Sequence, residues 1–174
     1  KSRNFLFVLC ASAFSAFEAA DFFGMLSMTD TFTGTRPVTA QDAFDTARLA
    51  AWMQEHVEGF SGALQVEKFQ GGQSNPTYLL RDARRRYVLR RKPPGKLLPS
   101  AHAVDREYKV ISALAGTDVP VPRTWALCDD DNVIGTMFYI MDCVDGRILW
   151  EPSLPGMAPA ERAAIFDEMN RVIA

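Results

Sequence analysis

Residues 69–78 read Phe69-Gln70-Gly71-Gly72-Gln73-Ser74-Asn75-Pro76-Thr77-Tyr78. A β-prone run, Leu64 to Phe69, leads into this stretch, and another, Thr77 to Leu80, leads out. Between them lie two adjacent glycines and small polar side chains. Glycine tolerates positive φ and lets a backbone come close to a neighbour, so such a loop can fold over a ligand. Taken alone, a glycine pair between two strands is a hairpin turn before it is anything else. The flanking sequence decides between the two.

Outward from the loop, strands are predicted at Leu64–Gln70, Thr77–Arg81 and Tyr87–Lys92, the last two joined by a turn at Asp82-Ala83-Arg84-Arg85. Pro93-Pro94-Gly95 ends the third strand. A helix follows from about Ala101 to Ala115, capped by Ser100 after Pro99. Val119-Pro120-Val121-Pro122 is an extended spacer. Two more strands, Thr124–Cys128 and Thr136–Met141, flank a turn at Asp129-Asp130-Asp131-Asn132. Upstream, Asp45 caps a helix to Val57 whose Leu49, Trp52, Met53 and Val57 share one face, and Gly59 stops it. His56, near its end, suits the negative helix C-terminus better than it suits a ligand role. A last helix starts near Pro159 and aligns Ile165, Phe166, Met169, Val172 and Ile173. Strands joined by short turns imply an antiparallel sheet, here of five strands with helices on one side: an α+β fold.

Composition excludes more than it assigns. The chain has 174 residues, 48% hydrophobic and 23% charged, enough to bury a core as one domain or part of one. A net charge of −2 gives no reason to expect nucleic acid or an acidic membrane as partner. Cys10, Cys128 and Cys143 are scattered, as cytosolic thiols are, and make no disulfide framework. Two histidines, His56 and His102, leave little material for a zinc site or a Ser-His-Asp triad. Residues 1–27 differ from the rest: Lys1 and Arg3 precede an apolar run from Phe5 to Phe17, too short to span a bilayer. It resembles a signal peptide, and also fits sequence translated upstream of a start at Met28, or a short buried helix. Residues 28–43, rich in Thr, Gly and Pro, read as an extended leader.

Chemistry concentrates after the loop. Arg81, Arg84, Arg85, Arg86, Arg90, Arg91, Lys92 and Lys96 crowd one stretch. The turn arginines 84–86 suit a solvated hairpin. Strand parity sorts three of the others: Val88, Arg90 and Lys92 share one face, Tyr87, Leu89 and Arg91 the other. Whichever face turns inward carries a long cation that needs an anion. In the helix Val104-Asp105-Arg106-Glu107-Tyr108-Lys109-Val110-Ile111, Glu107 falls on the same side as Val104, Tyr108 and Ile111, and a carboxylate there wants a cation. Asp105 and Lys109 pair on the outer surface. A cation on the third strand, a glutamate on the next helix and a glycine loop beside them is how kinases hold phosphates.

Gly71 to Tyr78, Tyr87-Val88-Leu89-Arg90, Val104-Asp105-Arg106-Glu107, Val119-Pro120-Val121-Pro122 and Met141-Asp142-Cys143-Val144-Asp145-Gly146 occur in an order and spacing that resembles the aminoglycoside-phosphotransferase-like branch of the protein-kinase-like fold. The stretch Leu89 to Ala103 is most like the subgroup that also occurs fused to acyl-CoA dehydrogenases. The resemblance covers about Phe44 to Ala174. It implies a nucleotide-binding N-terminal lobe at 44–144 and the start of a truncated C-terminal lobe at 145–174. It also implies an ATP site in which Gly71, Gly72, Gln73, Ser74 and Asn75 cover the phosphates. Val88 would touch the adenine, and Arg90 stands where the family usually has lysine. Glu107 holds that cation, Met141 gates the back of the pocket, and Asp142 to Val144 form the hinge, reading the adenine through the Asp142 carbonyl and the Val144 amide. Arg90, Arg91 and Lys92 all remain candidates for the phosphate contact.

The family's catalytic loop and metal-binding Asp come after the hinge, and this sequence contains neither motif. Catalytic and magnesium-binding residues are therefore expected beyond Ala174, and the chain by itself is expected to lack kinase activity. The implied function is ATP-dependent phosphoryl transfer to a small-molecule hydroxyl, a hydroxyacyl compound or its CoA thioester being favoured, with ATP and Mg²⁺ as cofactors in the cytoplasm and with no nucleic-acid or membrane partner. A nucleotide-binding regulatory module without transfer is the alternative. A basic nucleic-acid binder is the weaker third, since the net charge is −2 and Tyr87 is the one aromatic among those arginines.

Overall fold

The computed structural model describes residues 34–71, 74–95, 102–146, 149 and 151–173. Gly34 to Val144 belong to one compact unit, and the described residues from Asp145 onward belong to another. In the first unit the elements run β1 (Thr35–Pro37), α1 (Thr46–His56), β2 (Gln65–Phe69), β3 (Thr77–Arg81), β4 (Arg86–Arg91), α2 (Val104–Leu114), β5 (Thr124–Cys128), α3 (Asp131–Ile134) and β6 (Phe138–Asp142). The strands form one antiparallel sheet in the order β1-β2-β3-β4-β6-β5. In the second unit α4 (Pro159–Ile173) begins at the expected proline, with Phe166 and Ile173 exposed.

Strand parity divides the core in two. Tyr78, Leu80, Tyr87, Leu89, Phe138 and Ile140 point to one face, where Leu49 and Met53 of α1 and Ile134 of α3 meet them. Val88, Tyr139 and Met141 point to the other, where Val104, Tyr108 and Ile111 of α2 pack. Helices thus cover both faces, not one. The reason lies in β3, β4 and β6, which are apolar at successive positions and so cannot turn either face to water.

Local chemistry sets the boundaries. Asp45 caps α1, its Oδ1 accepting from the Ala47 and Arg48 amides at 3.0 Å each. Gly59, beyond its end, has φ +78°, where a side chain would be strained. His56 stacks on Trp52 with ring centroids 4.5 Å apart, its Nδ1 2.8 Å from the Trp52 carbonyl. The aspartate run expected as a turn instead starts α3: Asp130 Oδ1 accepts from the Asn132 amide at 2.9 Å, because a carboxylate just before a free amide is itself a helix cap. α2 starts at Val104 rather than Ala101, with Ala103 at the cap position and no side-chain cap; Ser100 lies outside the described residues.

A sixth strand arises where an extended leader was expected. Thr35, Arg36 and Pro37 pair with Phe69, Lys68 and Glu67. Asp42 staples this segment down: its carboxylate takes Arg36 Nη2 at 2.6 Å, Lys68 Nζ at 2.6 Å and Thr39 Oγ1 at 3.0 Å. Its carbonyl accepts from the Tyr78 hydroxyl at 3.1 Å and Arg91 Nη2 at 3.2 Å. Burial pushes the Asp42 carboxyl up, but Lys68, Arg36 and Thr39 outweigh it and hold it at about 2 against the ordinary 3.8.

A carboxyl depressed in the folded state stabilises above its unfolded pKa, and that contribution is lost as pH falls through the folded value. Asp42→Asn is therefore expected to cost about 2 kcal/mol at neutral pH, and to flatten the fall in stability between 3.8 and about 2. Urea unfolding across that range measures both.

A candidate nucleotide site on the second face of the sheet

The candidate residues are set by β4. Arg90 lies opposite Thr77 on β3 and Tyr139 on β6. It shares the α2 face with Val88 and Met141, which pair across β4 and β6 and are both buried. Glu107, one turn into α2, sits among Val104, Tyr108 and Ile111 and meets Arg90 side-on. Arg90 Nε is 2.7 Å from Oε2, and Nη2 is 3.4 Å from Oε1. The Arg90 side chain is 17% exposed and that of Glu107 34%, so the pair is shielded but not sealed.

Glu107 has two further donors. Asn75 Nδ2 donates to Oε1 at 3.0 Å, and the Tyr139 hydroxyl to Oε2 at 3.3 Å. Burial, and then the Glu107 charge, push the Tyr139 hydroxyl well above its ordinary value against the opposing pull of Arg90, so it stays a donor. With both carboxylate oxygens engaged, Glu107 fixes the guanidinium plane. Arg90 Nη1 is the least engaged nitrogen, 3.4 Å from Thr77 Oγ1. That hydroxyl in turn donates to the Asn75 carbonyl at 3.0 Å. The arrangement can present one guanidinium edge to an anion while the other stays locked.

The expected loop residues separate here. Asn75 is 4% exposed, and its carboxamide goes to Glu107 and to His102 Nδ1, the latter at 2.9 Å. Gly71 is half-buried and Ser74 exposed, and Gly72 and Gln73 lie outside the described residues. Asp142 ends β6. Its carboxylate is on the α1 side with Tyr87, accepting from Trp125 Nε1 at 2.7 Å, and its amide donates to the Arg123 carbonyl at 2.8 Å. The Cys143 amide donates to the Arg86 carbonyl at 3.3 Å. Among the described residues, the Asp142 carbonyl and the Val144 amide have no partner outside the strand ladders.

Of the three neighbouring cations, Arg91 belongs to the other face. It is 4% exposed, with its guanidinium 5.2 Å from the ring centroids of both Phe44 and Tyr78. Its Nε has no hydrogen-bond partner among the described residues, and the aromatic faces supply the counterweight. Lys92 bonds the Met137 carbonyl through its amide at 3.0 Å. Arg84, Arg85 and Arg86 are exposed, as a solvated turn requires. Asp82 caps that turn by accepting from the Arg84 and Arg85 amides at 2.7 and 2.6 Å. An open groove of about 300 Å³, lined by Val38, Phe44 and Val66 among others, contains none of the candidate residues.

Sequence reasoning missed His102 and Tyr139. The pairing register would have found Tyr139, which stands opposite Arg90. Nothing in the sequence signals His102, whose contact spans 27 positions and depends on a left-handed backbone. Among the described residues, no group of three or more His, Cys, Asp or Glu stands together as a metal site, and no helix is long and apolar enough to cross a membrane.

Comparison with known proteins gives the same frame. Residues 65–174 match the model of the phosphotransferase enzyme family. Acyl-CoA dehydrogenase family member 11 of Rattus norvegicus is 44% identical over 149 residues, covering 83% of this chain and 19% of that protein. Family member 10 of Mus musculus is 46% identical over 140 residues, covering 80% and 13% respectively. The chain thus spans under a fifth of the length of these relatives. A crystal structure from Ralstonia eutropha, provisionally assigned as an aminoglycoside phosphotransferase, is 58% identical, with a TM-score of 0.66 over 75% of this chain and 37% of that one.

Tyr139→Phe removes one donor from Glu107 and is expected to cost about 1 kcal/mol. Glu107→Ala strands the Arg90 guanidinium and is expected to cost about 2–3 kcal/mol, below a fully buried pair because water reaches this one. Chemical denaturation of the two variants checks the order.

Proposed function

Because the chain belongs to the phosphotransferase enzyme family, and so to a kinase-type fold of transferases, we propose that it forms the nucleotide lobe of an ATP-dependent small-molecule kinase. The observation that carries this reading is the Arg90–Glu107 pair, side-on at 2.7 Å on the face that also carries Val88 and Met141.

The described residues fit a nucleotide. Val88 and Met141 offer an apolar wall for a base. The Asp142 carbonyl is an acceptor and the Val144 amide a donor at the end of β6, as a base edge requires. Arg90 supplies positive charge and Glu107 holds its fork; the phosphates are assigned to the loop from Gly71 to Asn75, of which Gly72 and Gln73 lie outside the described residues. ATP supplies the phosphoryl group to be transferred. The role of this chain's residues is to orient it and to offset charge that grows on the phosphate oxygens. The magnesium ligands and the base that takes the substrate proton are assigned, on the family resemblance, to a C-terminal lobe, with residues from Asp145 onward as its start.

The acceptor is a hydroxyl of a small molecule. Similarity to acyl-CoA dehydrogenase family members favours a hydroxyacyl compound, including its CoA thioester. Cys128 and Cys143, neither in a disulfide, suit a cytoplasmic setting, and neither nucleic acid nor membrane is a proposed partner.

Arg90→Ala and Glu107→Ala in the full-length protein are each expected to lower turnover with ATP by roughly 10²–10³, the usual cost of removing one charge stabiliser. A coupled assay of ADP release over a panel of hydroxylated acids and their CoA thioesters measures it. Near-normal turnover in both variants would sink the assignment.

A further inference from the structure

We infer that His102 is a positioning residue for the nucleotide site: it holds the Asn75 carboxamide, and through it Glu107 and the Arg90 fork. This rests on the phosphotransferase reading of that site.

The hydrogen bonds have only one consistent direction. Glu107, as a carboxylate, only accepts, so the Asn75 group 3.0 Å from its Oε1 is the amide nitrogen. The Asn75 oxygen is thereby turned to His102, 2.9 Å from Nδ1. An amide oxygen only accepts, so His102 Nδ1 carries the proton. One tautomer of the ring therefore fixes one orientation of a buried carboxamide, which fixes one oxygen of the glutamate.

The backbone pays attention to this contact as well: His102 has φ +57°, one of two non-glycine residues with positive φ among those described. Histidine is tolerated there better than branched residues, but the conformation persists only where surroundings hold it. Its carbonyl accepts from the Val104 amide at 2.9 Å, at the first residue of α2. The last residue of the glycine loop and the start of the glutamate-bearing helix are thus joined through one residue, His102, by its imidazole and its carbonyl respectively. A displacement at Asn75 is carried to Glu107 directly, without passing through the sheet.

The alternative is a latch that only adds stability. Two variants separate the cases. His102→Asn keeps an N–H donor near the Nδ1 position, and asparagine accepts positive φ. His102→Gly removes the donor but relieves the left-handed strain, so it need not unfold the chain. Titrated with ATP, the full chain carrying His102→Gly is expected to bind about five- to tenfold more weakly than wild type, the loss of one hydrogen bond to a charged network. His102→Asn is expected to stay within about twofold. Long-range ¹H–¹⁵N spectra of the ¹⁵N-histidine-labelled chain, without nucleotide, should show His102 as the Nδ1–H tautomer. An Nε2–H tautomer, or ATP affinity unchanged in His102→Gly while wild type binds, would overturn this inference alone. A wild-type chain that binds no ATP would overturn the proposed nucleotide site, and the tautomer would still test the His102–Asn75 link.

Discussion

A carboxylate and a guanidinium paired in partial shelter from water hold one face of this structure together. Desolvating each ion costs several kcal/mol, and their attraction offsets that only if every remaining donor and lone pair is matched. Glu107 meets the condition with Arg90, Asn75 and Tyr139. Glu107 and these partners come from four separate parts of the chain. The pairing of β4 with β6 brings Tyr139 beside Arg90. Glu107 turns inward with Val104 and the apolar side of α2. Asn75, before β3, is drawn beneath the surface.

Arg90 and Arg91 show how one residue type is buried in two ways. Alternation sends them to opposite faces. Arg91 is sandwiched by Phe44 and Tyr78 and bonded to a peptide carbonyl. Its guanidinium is held on the α1 side of the sheet, and its work is structural. Arg90 is gripped along one edge and only loosely held at Nη1. The difference between the two arginines lies in that unspent edge, not in the degree of burial.

The parts legible in the sequence were those governed by local period. The alternation in β4 put Arg90 and Arg91 on opposite faces without choosing between them, the three- and four-residue spacing in α2 put Glu107 on its buried side, and Asp45 marked the start of α1. What escaped depended on partners far away in sequence. Nothing in Thr35-Arg36-Pro37 announces a strand, since its pairing is imposed by β2 and by the Asp42 ion pairs. The aspartates at 129–131 suit a turn and a helix cap equally, and Ile134 settling against α1 decides for the helix. The second helical layer was hidden because continuous apolar strands show that both faces are covered without showing by what. His102 needed a backbone conformation that no pattern of residue types encodes.

The short strand β1 also bears on where this unit can be divided. The family match begins at Gln65, the first residue of β2, yet Leu49 and Met53 of α1 are fully buried against the sheet, and β1 covers the outer edge of β2. A chain cut at that family boundary would leave Val66 and Lys68 on an open edge, with unpaired amides and carbonyls available to another strand. It would also uncover the apolar face of β3 and β4. The segment that the family match leaves out thus holds the outer edge of β2 and covers one face of the sheet.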